Sequence, residues 1–310
     1  MEHAIDECLW YSKGELLASS TANSRNSSLC DENGNYLELV LAGNELKGTL
    51  PKELMLLSKL EIIDLAENEI GGSISTELAS MDSLKELLID GNNIGGTLPT
   101  ELGLMTNLEL LICHTNPNME GSIPTFLGNM VSLRILHIHD NPLMTGTLPS
   151  ELGKLSNINW FTVHFPSLSG TIPTEYGNLA ALDTFDMRYA QLSGTIPSEV
   201  GNWMNARVFN MLGNSLLGGT IPSELGELIR LEELRFIKMP STGTIPSDLG
   251  RLTILQDMTL SGLQLTGTVP AEVWTLPNLK MLIISANADL SGTIPTEVGL
   301  ATSLVSLEGE

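Results

Sequence analysis

The sequence predicts an α/β solenoid: a right-handed superhelix of stacked repeats, with a concave parallel β-sheet and short helical turns on the convex side. The first observation behind this prediction is a Gly-Thr-Ile-Pro-like stretch that occurs eleven times, at intervals of 24 or 25 residues. The copies begin at Gly48, Gly72, Gly96, Gly121, Gly146, Gly170, Gly194, Gly219, Gly243, Gly267 and Gly292. Such a period indicates stacked repeats, because one unit is too small to bury its apolar face without its neighbours.

The second observation is the order of apolar and polar residues within one unit. Leu87 and Ile89 alternate with residues that are expected to be exposed, which predicts a short strand with one buried face. Asn92 follows this strand, and its side-chain amide is expected to hydrogen-bond the backbone where the chain turns. A short helical turn comes next, in which Thr100 is expected to act as the cap and Glu101 to face the positive end of the helix dipole.

The period divides the chain into three parts. Residues 1–35 do not fit it and are predicted to cap the first open face of the solenoid. Residues 36–303 are predicted to form eleven repeats of 24–25 residues, and residues 304–310 to begin a twelfth repeat that is truncated or continues in a longer parent. A disulfide between Cys8 and Cys30 is favoured within the cap, and two free thiols are the alternative.

The charge of the chain argues against two classes of partner. The formal net charge is −22, from 37 acidic and 15 basic residues, and the basic residues form no run. Nucleic acid and anionic membrane surfaces are therefore not expected as partners. No apolar run approaches the ~18 residues that a transmembrane helix needs, so we expect no direct membrane insertion by this chain. The N-terminus does not resemble a signal peptide, which leaves a cytoplasmic location open.

The repeat pattern L-x-x-L-x-L-x-x-N-x-L-x-G-x-I-P-x-x-L-G resembles the plant-type leucine-rich repeat over residues 36–303. That family includes ectodomains of receptor-like proteins and receptor-like kinases, and polygalacturonase-inhibiting proteins. The resemblance implies a non-catalytic scaffold that binds a protein, peptide or glycan ligand, outside the cell or at its surface as part of a longer membrane-anchored parent. A secreted inhibitor of a cell-wall glycosidase is the alternative that the same resemblance allows.

Outward positions of successive strands predict a ligand-binding patch on the concave face. Exposed aromatic residues together with Arg are typical binding anchors, whereas ordinary solvated His residues are the alternative. Three stacked His residues could in principle hold zinc, but the sequence shows no supporting shell, so we predict no metal and no cofactor. The predicted patch consists of His114, His137, His139, Trp160, Thr162, His164, Phe165, Asp186, Arg188 and Tyr189.

Two further columns of residues follow from the stacking. An acidic residue lies two positions after the repeat Pro in nearly every unit, as in Glu101 and Glu151, and we interpret this column as helix capping and solubility. A Thr or Ser follows each repeat Gly, as in Thr97 and Ser122. Strand propensity explains this hydroxyl column, and an ice-binding or adhesion surface is the alternative. Cys113 occupies an inward strand position and is expected to be a buried structural thiol.

The sequence contains no recognisable catalytic motif. It has no Gly-x-Gly-x-x-Gly stretch, no phosphate-binding loop and no protein-kinase signature. Cys113 and His114 cannot form a nucleophile–base pair, because adjacent strand residues point to opposite faces. The carboxylates lie in exposed columns, where no two of them are held at different pKa values. We therefore predict that the chain is not an enzyme.

Overall fold

The structure is a computed structural model that describes residues 31, 33–293 and 295–309. Within this part of the chain, successive repeats stack side by side, and each contributes one strand to a long parallel sheet. The predicted Cys8–Cys30 disulfide and most of the predicted N-terminal cap lie outside the described residues. No described helix is long and apolar enough to cross a membrane.

The long sheet orders its described strands as they occur in the chain, so each strand pairs with those of the preceding and following repeats. All of these pairs are parallel, with registers such as Leu87↔Leu111 and Leu136↔Phe161. The twelve described strands are β1 Glu38–Val40, β3 Ile62–Asp64, β5 Glu86–Leu88, β7 Leu110–Ile112, β9 Ile135–His139, β11 Trp160–His164, β13 Thr184–Arg188, β15 Val208–Leu212, β17 Glu233–Ile237, β19 Asp257–Ser261, β21 Met281–Ile283 and β23 Ser306–Glu308.

A second set of short strands precedes the repeat Pro residues. These strands form parallel sheets of six, three and two strands in the described part of the chain. They are β2 Lys47–Thr49, β4 Glu69–Gly71, β6 Gly95–Gly96, β8 Asn118–Gly121, β10 Leu143–Thr147, β12 Ser167–Gly170, β14 Gln191–Thr195, β16 Leu216–Gly218, β18 Thr242–Gly243, β20 Gln264–Gly267 and β22 Asp289–Leu290.

The return segment of each repeat contains one short helical turn, and all but one of those described are 3₁₀ turns. The expected Thr100 cap is wrong: Pro99 is the N-cap residue, and no side chain caps this turn. The Thr100 hydroxyl instead donates to the Glu101 carboxylate at 3.0 Å. The described 3₁₀ turns are Lys52–Leu56, Thr76–Ser80, Thr100–Leu104, Thr125–Asn129, Ser150–Lys154, Thr174–Asn178, Ser198–Asn202, Ser223–Glu227, Ser247–Arg251 and Thr296–Leu300, and Ala271–Trp274 is α-helical.

A continuous apolar core lies between the long sheet and the helical turns. Leu87 and Ile89 are both buried in it, which confirms the predicted strand orientation. Cys113 is fully buried as well, and its burial raises the pKa of the thiol to about 12, in agreement with a structural role. In the middle repeats the core becomes aromatic: the rings of Phe161 and Phe185 stack with centroids 5.6 Å apart. This aromatic packing lies directly behind strands β11 and β13.

Buried Asn side chains connect neighbouring repeats, as the sequence predicted. The Asn92 amide nitrogen donates to the carbonyls of Leu65 (2.8 Å) and Asp90 (3.0 Å), and its oxygen accepts from the Ile70 N–H at 3.0 Å. One side chain therefore provides hydrogen-bond partners for backbone groups of its own turn and of the preceding repeat. The buried Asn92 amide is itself satisfied by these bonds, as buried polar groups usually are. The same bond to a carbonyl of the preceding repeat is made by Asn68, Asn116, Asn141, Asn214 and Asn287.

Four of the eleven repeats lack this Asn, and the structure corrects the position of one replacement. The sequence pattern assigns Pro166, Ala190, Met239 and Leu263 to the four sites. Phe165, not Pro166, turns into the core, and Pro166 is exposed. The Leu168 N–H donates to the Phe165 carbonyl at 3.0 Å, as happens at the Asn residues of other repeats. Among the described residues Asn214, which follows the repeat of Ala190, has a buried side-chain oxygen without a partner.

Glycine allows neighbouring repeats to approach closely at two places. At the helical turns, a Cβ atom on Gly153 would lie 2.4 Å from the Glu175 carbonyl oxygen of the next repeat. Beside the short strands, a Cβ on Gly219 would lie 2.5 Å from the γ-methyl of Thr195 in the preceding repeat. Any larger residue at these positions would push one repeat away from the next. The Gly and Thr of the repeat motif therefore form a contact between units.

Replacing Gly153 with Ala should destabilise the protein, because the added methyl would collide with the backbone of the next repeat. Overpacking of this kind costs about 1–3 kcal/mol, which corresponds to a melting temperature lower by several degrees. Gly299 is the matched control, since it occupies the same place in its repeat but has nothing within 4 Å of an added methyl. Thermal unfolding of the 310-residue chain followed by circular dichroism measures both variants. Equal melting temperatures for Gly153→Ala and Gly299→Ala would contradict the proposed contact.

Candidate ligand-binding surface

The candidate site lies on the solvent face of the long sheet, around strands β7 to β13. Alternate residues of a strand point to opposite faces. In β9, Leu136 and Ile138 are buried in the core, so His137 and His139 lie on the solvent side. The register then places His139 beside His164 of the next repeat. In this way the pairing of neighbouring strands brings together residues that are far apart in the sequence.

Three imidazoles form a stack across three consecutive repeats. The rings of His114 and His139 are nearly parallel, with centroids 4.2 Å apart and an interplanar angle of 12°. The rings of His139 and His164 continue the stack at 4.9 Å and 18°. His137 lies beside this stack, with its ring centroid 6.0 Å from that of His139. The predicted clustering of the four His residues is thus present in the structure.

Trp160 borders the His cluster and is held in place on two sides. Its ring packs edge-on against His137, with centroids 5.1 Å apart. Its indole N–H donates to the Thr162 hydroxyl at 3.1 Å. The side chain is nevertheless 46% exposed, so a large part of the ring faces solvent. Trp160 is therefore an exposed aromatic side chain with a fixed orientation.

Arg188 and Tyr189 complete the patch at the end of β13. The Arg188 guanidinium donates from Nε to Asp186 at 2.7 Å and makes a second bond from Nη2 to the same carboxylate. This bidentate pair raises the pKa of Arg188 and fixes its planar group. The Tyr189 side chain is 61% exposed, and its ring edge lies 2.9 Å from where a Cβ of Gly213 would be. Glycine at 213 thus leaves the space that the Tyr189 ring occupies.

The structure changes the predicted patch at three residues. Phe165 is not on the solvent face: it is 1% exposed and packs in the core, because the turn after β11 is one residue shorter than the turn after β9. Thr162 and Asp186 do lie on the solvent face but are largely covered by their neighbours. Their hydroxyl and carboxylate orient Trp160 and Arg188, respectively.

An apolar strip next to the His cluster is absent from the patch that the sequence predicted. Leu110 and Ile112 of β7 and Ile135 of β9 occupy outward strand positions and are half-buried. The register aligns Leu110 with Ile135 and Ile135 with Trp160, so the strip is continuous with the aromatic patch. The sequence does contain a sign of this strip, namely Leu and Ile at outward strand positions. A search for polar and aromatic residues does not detect it.

Comparison with known proteins identifies the repeat. The family model described as Leucine Rich Repeat matches residues 83–105 and 132–155. The solved structure of the plant peptide hormone receptor RGFR1 in complex with RGF2 is 32% identical, with a TM-score of 0.80 over 86% of this chain. The repeats of this chain are leucine-rich repeats, stacked as in a leucine-rich-repeat solenoid. No curated protein matches it by sequence.

Two further solved structures extend the comparison. The ectodomain of the Arabidopsis thaliana membrane receptor kinase GASSHO1/SCHENGEN3, in complex with CASPARIAN STRIP INTEGRITY FACTOR 2, is 30% identical over 87% of this chain, with a TM-score of 0.55. A plant ice-binding protein is 23% identical over 86% of this chain and 77% of its own, with a TM-score of 0.60, which shows the shared fold alone. The chain spans 42% of the RGFR1 chain and 38% of the GASSHO1 chain.

Burial keeps most imidazoles of this leucine-rich-repeat surface neutral. It lowers the pKa of His114, His137 and His164 to about 4 in each case, and the neighbouring His139 adds to the effect. An imidazole that is partly removed from water resists protonation, because its charged form loses more hydration than its neutral form. At neutral pH these three rings are therefore uncharged and form a polar but neutral surface.

The stability of the protein should fall as the pH is lowered from about 6.5 towards 4. In this window the unfolded chain protonates His residues with an ordinary pKa near 6.5, whereas the folded chain does not, so protons favour unfolding. We expect a lower melting temperature at pH 5 than at pH 7 in chelator-containing buffer, and a smaller decrease for His164→Gln. Tyr189→Phe is the control on the same face and should retain the wild-type decrease. Superimposable pH profiles of wild type and His164→Gln would contradict this assignment.

Proposed function

We propose that this chain is a non-catalytic ligand-binding domain of a receptor-like protein, and that a peptide or protein segment binds the solvent face of its long sheet. The observation that carries the proposal is the aromatic patch around Trp160 and Tyr189. Both side chains are substantially exposed, and Trp160 packs edge-on against His137. Exposed aromatic residues beside Arg188 are the residue types that dominate binding energy in protein interfaces.

The patch is preorganised, which favours binding. Trp160 is fixed by its edge contact with His137 and its hydrogen bond to Thr162. The Arg188 guanidinium is fixed by Asp186. Immobilising a free side chain on binding costs about 0.5–1.5 kcal/mol, so side chains that are already fixed keep more of their contact energy. The aromatic core behind β11 and β13 supports the strands that carry them.

The chemistry of the patch favours a ligand with apolar or aromatic side chains. The strip of Leu110, Ile112 and Ile135 continues the patch with apolar surface. The rings of His114 and His137 beside it are neutral at pH 7, and Arg188 is balanced by Asp186. A net charge of −22 would repel a strongly anionic ligand. These properties support a peptide with apolar anchors more than a polyanion.

The comparisons support a location at the cell surface. RGFR1 is described as a peptide hormone receptor, and GASSHO1 as a membrane receptor kinase whose leucine-rich repeats form an ectodomain. Both structures contain a bound partner, RGF2 in one and CASPARIAN STRIP INTEGRITY FACTOR 2 in the other. We infer an extracellular position for this chain within a longer membrane-anchored parent.

Removing the anchors should abolish ligand binding. Peptides selected from a displayed peptide library on the 310-residue chain should bind a Trp160→Ala, Arg188→Gln variant at least about 30-fold more weakly, since hot-spot truncations cost about 2 kcal/mol or more. The matched control is Met281→Ala, Arg251→Gln, in which Met281 occupies the same strand position as Trp160 in a distant repeat. Fluorescence anisotropy measures each affinity. Selected peptides that bind wild type and patch variant equally would contradict the proposal.

The alternative function, a secreted inhibitor of a cell-wall glycosidase, would use the same face but would give a different result in a capture experiment. Affinity capture from an extracellular fraction, followed by identification of the bound proteins, would then yield a glycosidase whose activity falls when the chain is added. Capture of a secreted peptide or a membrane co-receptor instead supports the receptor proposal. The patch variant serves as the control in both cases, because non-specific capture would persist in it.

The hydroxyl column offers an alternative surface for ice binding or adhesion. Its residues, such as Thr195 and Thr220, are exposed beside the short strands. Their γ-methyl groups pack against the Gly of the next repeat, which provides a structural reason for Thr without a ligand. Ice-growth inhibition that is lost in a Thr195→Lys, Thr220→Lys variant and retained in the Trp160 variant would favour this alternative.

A further inference from the structure

Three imidazoles from two adjacent repeats lie close together on the solvent face. His137 and His139 are two residues apart in β9 and therefore lie on the same side of the strand. His114 belongs to the preceding repeat and is brought beside them by the register of the sheet, in which the Thr115 N–H donates to the His139 carbonyl at 3.0 Å. One nitrogen from each ring lies within 4.8 Å of the other two.

We propose that His114, His137 and His139 form a binding site for Zn²⁺ or a similar divalent transition-metal ion. Nitrogen ligands bind Zn²⁺ at about 2.0–2.1 Å, so the nitrogens of a tetrahedral site lie roughly 3.3 Å apart. The rings of His114 and His139 are stacked, so at least one of them has to turn about its side-chain bonds before both nitrogens point to one ion. Three His ligands leave a fourth coordination position open towards solvent.

One nitrogen of the cluster also lacks the partner that its burial calls for. His137 Nε2 is buried and has no hydrogen-bond partner among the described residues. A buried polar atom of this kind usually has a partner, and a metal ion would provide one.

Neighbouring polar groups orient two of the rings. The Asp140 carboxylate lies 3.0 Å from Nδ1 of His139, which leaves Nε2 of that ring as the metal-binding atom. The Thr115 hydroxyl lies 3.0 Å from Nδ1 of His114 in the same way. Carboxylates that hold the second nitrogen of a His ligand are a common feature of zinc sites. The sequence alone shows no such supporting shell, because Asp140 and Thr115 are recognisable as partners only once the ring positions are known.

Charge and ligand type define the class of metal. Asp90 lies 3.6 Å from Nε2 of His114 and Asp140 lies beside His139, so negative charge surrounds the proposed cation. Imidazole nitrogen is a preferred ligand of Zn²⁺, Cu²⁺ and Ni²⁺, whereas Ca²⁺ and Mg²⁺ require oxygen. The site should therefore discriminate against Mg²⁺.

Isothermal titration of the 310-residue chain with Zn²⁺, in buffer containing excess Mg²⁺, tests this site. We expect one tightly bound Zn²⁺ per chain, and a Co²⁺-loaded protein with the intense visible absorption of tetrahedral coordination. His137→Gln and His139→Gln should each weaken Zn²⁺ binding at least about tenfold, because loss of even an outer-shell partner has an effect of that size. His164→Gln is the matched control, since this ring stacks on His139 but is outside the three-nitrogen group.

Three outcomes would overturn the proposal. The first is the absence of stoichiometric Zn²⁺ binding by the wild-type chain. The second is equal affinity in wild type and in all His variants, which would place the metal elsewhere. The third is a loss in His164→Gln as large as in His139→Gln, which would exclude the assigned set of ligands. Melting temperatures in chelator establish that each variant is folded. The titration uses no peptide ligand, so its result is independent of the peptide-binding proposal.

Discussion

The structure depends on the distance between one repeat and the next. Parallel strands pair at about 4.8 Å, and every other part of the repeat has to fit within the same step. At the helical turns this leaves no room for a Cβ at Gly153, and beside the short strands none at Gly219. The buried Asn side chains span the same step with hydrogen bonds. Glycine, Thr and Asn are therefore as necessary to the fold as the apolar residues of the core.

The same step determines the geometry of the candidate site. Rings on neighbouring strands at equivalent positions lie close enough to stack, as His139 and His164 do. Each surface residue lies beside the equivalent residues of the neighbouring repeats. The chemistry of the surface is therefore determined by columns of equivalent positions and not by single residues. The patch around Trp160 arises because four neighbouring repeats carry His, aromatic or Arg residues at these positions. The aromatic core behind it gives the same strands a bulky support.

Much of the fold could be predicted from the sequence, because the repeat period and the alternation at Leu87 and Ile89 are direct consequences of stacking and strand geometry. The clustering of the His residues followed from the same register. The exception at Phe165 has a local cause: the turn after β11 is one residue shorter, and counting from the strand gave the wrong inward residue. Thr100 was assigned as a cap, but its hydroxyl bonds to the neighbouring carboxylate. Ring orientations, burial and pKa values depend on side-chain packing that no sequence pattern specifies.

The contact between Thr195 and Gly219 has a consequence for how such a chain could lengthen. A repeat between two others carries both halves of the contact: a Thr γ-methyl (or the Cβ of Ser73 or Ser122) presented to the following unit, and a glycine that faces the Thr or Ser of the preceding one. Duplication of any whole block of 24 or 25 residues therefore preserves every junction, wherever the block begins. A partial duplication would separate donor from acceptor and leave a methyl against a Cβ. Gene segments of this length are thus self-compatible modules, and the number of repeats could change in whole units while the junction chemistry stayed constant.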